Sequence, residues 1–171
     1  DYRSTKNFTV HVVTGFSDQG KEKIKVNKNL VIPAKDTNGK KIQGIGTGAF
    51  SRKAKGEEDL QIETLTLPEN VKASCEPSTW QEVQGLTERG DFFIGASAFM
   101  RNKLTTLDLP EGVIYVGGNS FKYNGLTAVK FPKTIMQVAS QAFGYNEITV
   151  LDFPEKTDYP FQVDSGAFGV N

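Results

Sequence analysis

The chain has one cysteine, one histidine, one tryptophan and no long apolar run. Each shortage removes a class of answer. Cys75 alone forms neither an internal disulfide nor a paired-cysteine metal motif. His11 stands alone, without a Ser or Cys context that would suggest a triad. No apolar stretch approaches the roughly 18 residues of a membrane span, so no membrane insertion is expected of these residues. Surplus charge is missing too, because 20 basic residues meet 20 acidic ones. Phosphate contacts need a basic surplus, which argues against nucleic acid as a partner. The balance hides a gradient: residues 1–60 carry 12 Lys and Arg against 7 Asp and Glu, and residues 61–171 carry 8 against 13. Solvated faces tolerate such an asymmetry, and it can also steer a charged partner.

The usual catalytic signatures are absent as well. Gly44-Ile45-Gly46-Thr47-Gly48 lacks the Lys-Ser/Thr of a phosphate-binding loop. Acidic residues show no calcium-loop spacing, and Glu57-Glu58-Asp59 reads as a short solvated run. No catalytic residue, metal site or cofactor is expected.

What the sequence has is a repeated phrase. Ala98 to Thr105 reads AFMRNKLT, Ser120 to Thr127 reads SFKYNGLT, and Ala142 to Thr149 reads AFGYNEIT, each 22 residues after the last. A Leu-x-x-Leu-x-Leu-Pro element follows each phrase: Leu104, Leu107, Leu109 and Pro110; Leu126, Val129, Phe131 and Pro132; Ile148, Leu151, Phe153 and Pro154. An earlier copy is Ile62, Leu65, Leu67 and Pro68. Five Phe anchors result, at 50, 99, 121, 143 and 168, each with an apolar residue five positions before it: Ile45, Ile94, Val116, Val138 and Val163. Asn102, Asn124, Asn146 and Asn171 stand three after their Phe.

A fixed period of this length predicts a coil in which each repeat buries its apolar face against its neighbours. The Leu-x-Leu-Pro segment alternates as a half-buried strand and stops at Pro, which donates nothing to a ladder. The Phe column predicts a buried spine. The Asn column predicts side chains that satisfy backbone groups at each turn, because an amide both donates and accepts.

The pattern resembles the BspA-type leucine-rich repeats of bacterial surface proteins, with units of the form Ile-Gly-x-x-Ala-Phe-x-x-(Cys or Asn)-x-x-Leu-x-x-Leu-x-Leu-Pro. Ile45 to Phe50 and Ile94 to Phe99 match its opening, and the resemblance covers residues 30–171. Ala139 and Asp164 depart from its Gly, and Lys53 from its Asn. The ordinary leucine-rich consensus, with Asn after Leu-x-Leu, is not matched, because Pro takes over that stretch. The resemblance implies a leucine-rich-repeat solenoid: a right-handed coil of about five turns, mostly β with short helical or 3-10 turns.

Residues 1–29 precede the repeats. Phe8, Val10 and Val12 alternate, and Asp18-Gln19-Gly20 offers a turn toward Lys23-Ile24-Lys25-Val26, so a capping β-hairpin is expected. Asn38-Gly39 marks a second tight hairpin turn, between Val31-Ile32 and Ile42. Residues of about 70–91 form an insertion, where Thr79-Trp80-Gln81-Glu82 fits a helix capping box. The start at Asp1 and the stop at Asn171 in mid-phrase lead us to expect a piece of a longer, processed protein, truncated at its C-terminus.

The candidate ligand-binding residues are Trp80 in the insertion and Arg101, Tyr123 and Tyr145, which with Arg52 form a column two after the Phe anchors. Tyr and Arg are favoured at interface hot spots, and equally they stack on one another to seal a corner. The resemblance implies a non-catalytic binding ectodomain at the bacterial cell surface, extracellular, engaging a host or matrix protein, another surface protein or a glycan. The alternatives are a structural spacer displaying another domain and, third, a carbohydrate-processing enzyme.

Overall fold

A computed structural model describes residues 11–52, 57–69 and 92–171. The expectations placed on Phe8, Val10, Lys53, Cys75 and the capping box with Trp80 lie outside these residues.

Each repeat supplies two short strands on different sides of the chain's path. The first set is β1 (Val12–Val13), β3 (Gly44–Ile45), β5 (Phe92–Ile94), β7 (Val113–Val116), β9 (Gln137–Val138) and β11 (Gln162–Val163). These form a six-stranded sheet in that order, parallel at every pairing. The second set is β2 (Asn29–Val31), β4 (Thr64–Thr66), β6 (Thr106–Asp108), β8 (Ala128–Lys130) and β10 (Val150–Asp152). Here β6, β8 and β10 form one parallel sheet, and β2 pairs with β4 in another. Thr106 lies beside Ala128 and Ala128 beside Val150, so partners are 22 residues apart and the sequence period is the strand register.

The second set is the Leu-x-Leu-Pro strand. Leu107, Leu109, Val129 and Phe131 are buried, while Thr106, Asp108 and Lys130 between them are exposed. That alternation places one face on the core, and Pro ends the pairing because it has no N–H to offer. The first set contains the apolar residue five before each Phe: Ile45, Ile94, Val116 and Val138 are fully buried, and Val163 in the last repeat is exposed.

Between the sheets runs the aromatic spine. Phe50 stacks on Phe99 at 5.5 Å, Phe99 on Phe121 at 5.3 Å, Phe121 on Phe143 at 5.4 Å and Phe143 on Phe168 at 5.3 Å, with planes within 14° of parallel. The first four are buried to within 1%. Phe168 corrects the expectation of five buried rings. It is only partly buried, because no ring covers its outer face among the described residues. Phe16, which carries no repeat signature, closes the other end edge-on to Phe50 at 4.8 Å. Each buried ring contributes about 1.5–3 kcal/mol through burial, and ring pairing adds about 0.5–1.5 kcal/mol.

Parallel strands at this pitch bring backbones very close at one corner. A Cβ built on Gly117 would lie 2.6 Å from Ala96 N and 2.7 Å from Gly95 C and Ile94 O. Those are backbone atoms of the preceding repeat and cannot swing aside. Gly117→Ala is expected to destabilise by about 1–3 kcal/mol through overpacking. At Gly125, where the nearest atom to a Cβ would be 3.7 Å away, the same change should be near neutral. Urea denaturation of the two variants checks the contrast.

The N-terminal expectation is corrected. Asp18–Val26 is an α-helix, α1, where a turn and a returning strand were expected. Ser17 caps it, its Oγ accepting from Gly20 N at 3.1 Å. Asp18 lies in the first turn and Lys23 and Lys25 in the last, each complementing the helix dipole. The alternation of Ile24 and Val26 misleads, since Ile24 is buried and Val26 is 89% exposed. The Asn38-Gly39 turn does form. Lys35 bridges Lys41 in antiparallel fashion, Ile42 N donates to Ala34 O, and Gly39 takes φ +80°.

The stretch between Pro154 and Phe168, 14 residues long where the equivalent Pro110 to Phe121 is 11, packs back on the molecule. Tyr159 is buried with Ile114 and Met136 in a small second cluster beside Tyr115. Burial, with Asp164 nearby, raises the Tyr115 hydroxyl above its usual pKa.

Candidate functional site

The corner after each Phe is built on an asparagine ladder. Asn102 Nδ2 donates to Phe50 O at 2.9 Å and Phe99 O at 3.0 Å, while its Oδ1 accepts from Ile62 N at 2.9 Å. Asn124 repeats this with Phe99 O, Phe121 O and Leu104 N. Asn146 does so with Phe121 O, Phe143 O and Leu126 N, and Asn171 with Phe143 O, Phe168 O and Ile148 N. Each amide ties two consecutive repeats at once. That is why Asn, with donor and acceptor on one planar group, stands there. A threonine column the sequence reading left unused adds to it. Thr127 N and Oγ1 both bond Thr105 O, and Thr149 N and Oγ1 both bond Thr127 O.

On this rigid corner stand three of the candidate residues. Arg101, Tyr123 and Tyr145 take φ values of +63°, +58° and +56°. Side chains rarely adopt that region, and each such residue costs on the order of 1–3 kcal/mol. Backbone bonds hold them there: Arg101 N to Lys122 O, Tyr123 N to Gly144 O and Tyr145 N to Gly169 O. Gly or Asn would occupy such positions at lower cost. Large side chains stand there instead, and they stack.

Tyr123 and Tyr145 lie 4.7 Å apart, and the Arg101 guanidinium sits 4.9 Å over Tyr123. Lys122 Nζ lies 5.3 Å from the Tyr123 ring and 5.0 Å from the Tyr145 ring. The two tyrosines remain 39% and 42% exposed, and Arg101 is exposed. Neither Arg101 nor Lys122 has an acidic ion-pair partner among the described residues. The result is a continuous, solvent-facing ladder of cation and aromatic ring. Lys122, one residue after Phe121, was missed by the sequence reading. The signal was a basic residue flanked by two columns that were already aligned.

The fourth column member behaves differently. Arg52 donates through Nε to Phe50 O at 3.0 Å, lies over Phe16 at 5.5 Å and sits 4.0 Å from Glu57, with its side chain only 9% exposed. Burial lowers its pKa, partly offset by Glu57. Arg52 seals the N-terminal end of the corner and is not part of the exposed ladder. Trp80 lies outside the described residues.

His11 has a partner after all. Its Nε2 lies 2.9 Å from Asp36 Oδ2, while Asp36 Oδ1 accepts from Asn38 N and Lys40 N. Those backbone bonds, the one from Lys40 first, hold the Asp36 carboxyl below its usual pKa. The pair ties β1 to the hairpin, with no nucleophile beside it among the described hydrogen bonds. No group of three or more His, Cys, Asp or Glu arranged to hold a metal occurs among the described residues. No helix among them is long and apolar enough to cross a membrane.

Residues 93–168 match the model of the BspA type leucine rich repeat region, in 6 copies. That stretch is similar to a BspA-type leucine-rich repeat region. No curated protein and no solved structure matches the chain. The match starts at Phe93, so the earlier part of the leucine-rich repeat pattern rests on pairing. Gly44 and Ile45 lie beside Phe93 and Ile94 in the same parallel sheet. The match to this repeat family suggests protein–protein interaction or adhesion, and leucine-rich repeats are generally non-enzymatic.

Proposed function

We propose that this chain is a non-catalytic binding ectodomain of a bacterial cell-surface protein, a right-handed leucine-rich-repeat coil of about five turns that mediates adhesion or protein–protein interaction. One observation carries the proposal: the exposed ladder of Arg101, Tyr123 and Tyr145, held in strained backbone on a corner cross-tied by asparagines. The same left-handed backbone recurs at Val170, so the repeat sets it, and what distinguishes these three positions is the stacked side chains they carry. Their types are those that dominate binding surfaces. The repeat family, typically surface-associated, points the same way.

The strand face supports binding over chemistry. Thr64, Thr66, Thr106, Asp108, Lys130, Val150 and Asp152 are exposed in flat rows, without the concave, convergent polar groups of a small-molecule site. A binding screen against extracellular-matrix proteins and glycans tests the reading, with Tyr145→Ala and Trp80→Ala in parallel. The expected result is a retained ligand whose binding weakens in at least the Tyr145 variant. If the chain binds nothing while the whole protein adheres, these residues are not the adhesive surface.

A further inference from the structure

We propose that Asn38 is a self-modification site, where the Gly39 amide nitrogen displaces ammonia from the Asn38 side chain and turns the hairpin tip into aspartate and isoaspartate. A second Asn-Gly pair, Asn124-Gly125, has the same chemistry in its sequence and is held inert by the fold.

The step needs no partner but water. Gly39 N, losing its proton, attacks Asn38 Cγ; the new C–N bond closes a succinimide ring, and the Cγ–Nδ2 bond breaks to release ammonia. Water then opens the ring at either carbonyl. Opening at one leaves Asp at position 38, and opening at the other runs the backbone through the side chain as isoaspartate. Glycine favours the closure because it has no Cβ to crowd the attacking nitrogen and no steric limit on φ. Two asparagines of this chain precede glycine, at positions 38 and 124.

The structure separates the two pairs. Asn38 and Gly39 are both exposed at the hairpin tip, and the Asn38 side chain makes no hydrogen bond among the described residues. Nothing lies within 4 Å of the place a Gly39 side chain would take. One bond restrains the attacking nitrogen, from Gly39 N to Asp36 O at 3.0 Å. It closes an exposed turn, so breaking it takes only local opening. Asn124 is the opposite case. Its Nδ2 donates to Phe99 O and Phe121 O at 3.0 Å each, and its Oδ1 accepts from Leu104 N at 3.2 Å. Gly125 N donates to Leu104 O at 3.0 Å. The Asn124 Cγ reaches the next nitrogen only by giving up bonds that join two repeats.

The product matters because of what the tip holds. Asp36 Oδ1 accepts from Asn38 N at 2.8 Å and Lys40 N at 2.9 Å, and Asp36 N donates to Lys40 O. Asp36 Oδ2 meets His11 Nε2 at 2.9 Å. Isoaspartate puts an extra backbone carbon between Asp36 and Lys40, which displaces Lys40 from bonds that depend on distance and angle. Either product also adds a carboxylate near that of Asp36, and like charges repel. The modification therefore loosens the hairpin that Asp36 clasps to His11, and leaves the Phe spine and the exposed ladder untouched.

The test incubates the folded chain at mildly alkaline pH, where the attacking nitrogen loses its proton more readily, and follows it by peptide mapping and mass spectrometry. The peptide holding Asn38 is expected to gain the mass of amide-to-acid exchange about ten-fold or more faster than the peptide holding Asn124, since only the first opens locally. In concentrated guanidinium chloride, which unfolds the coil, the two pairs should convert at similar rates. Asn38→Gln should abolish the gain at the hairpin. Trypsin should cut the converted chain faster after Lys40 than the fresh chain. The proposal is overturned if Asn38 is unchanged in the folded chain while it converts in denaturant, or if both pairs convert equally fast in the folded chain. A rate difference as large in denaturant as in the fold would also overturn it, because neighbouring sequence would then set the difference. Unchanged cleavage after Lys40 would overturn the loosening of the hairpin.

Discussion

Phe121→Ala is expected to lower the stability of the chain by about 3–5 kcal/mol, measured by urea denaturation. Phe121 is fully buried between Phe99 and Phe143, 5.3 and 5.4 Å away on its two faces. Removing it costs the transfer of a whole ring and leaves a cavity that both neighbours line. Little can close that gap. The neighbouring rings are pinned by backbone bonds across repeats, Phe99 N to Ser120 O and Phe143 N to Ala167 O. Phe168→Ala should cost less than half as much, since that ring is stacked on one face only among the described residues. Equal losses at the two positions would show that the spine is not a cooperative stack.

Asn146→Ala is expected to cost about 2–4 kcal/mol, because buried polar groups lose their partners together. The amide of Asn146 serves Phe121 O, Phe143 O and Leu126 N, and the residue is only 8% exposed. Asn146→Asp should be worse near neutral pH, although it is nearly the same shape. The introduced carboxylate would face two carbonyl oxygens it cannot bond and would lose solvation. Both effects raise its folded-state pKa above the unfolded value near about 3.9. The penalty is therefore largest above the folded pKa and fades as pH falls toward the unfolded value. Denaturation at neutral pH and near pH 4 measures this (about 4 being the ordinary Asp range). A deficit that does not shrink on acidification would mean that the amide's donors matter less than its shape.

The two variants probe the parts of the molecule that were legible in the sequence. Phe99, Phe121 and Phe143 align by spacing and Phe50 and Phe168 by the motif around them, and all five stack in chain order. The Asn column was assigned to backbone satisfaction from the chemistry of an amide, and the hydrogen bonds are of that kind. Both were readable for one reason. In a parallel stack the residue 22 positions away is the spatial neighbour, so sequence period and contact map coincide. A Cβ on Gly95 or Gly117 would lie within 2.8 Å of the preceding repeat's backbone, which explains the Gly at those two corners.

The candidate site was readable only as a column. Spacing aligned Arg52, Arg101, Tyr123 and Tyr145, but alignment says nothing of which way a side chain faces. That depends on neighbours outside the period. Arg52 turns inward because Phe16 and Glu57, neither of them repeat positions, give it a face and a charge. Arg101 meets Tyr123 instead and stays in solvent. Lys122 joined the ladder for the same reason, by reaching two rings in different repeats.

By itself, then, the sequence determined the period, the parallel register it implies, the buried spine and the amide ladder, because each is a contact between equivalent positions. Tertiary structure alone decided the rest. Residues 18–26 alternate weakly enough to suit a strand, yet Ser17 capping and a single buried residue, Ile24, settle them as α1. Val163 and Phe168 carry the same pattern as buried residues, but lie where the described stack ends, and so remain partly or largely exposed. A repeat signal specifies what each residue does between two neighbours, whereas at the ends and corners burial is set by whichever unrelated side chain arrives.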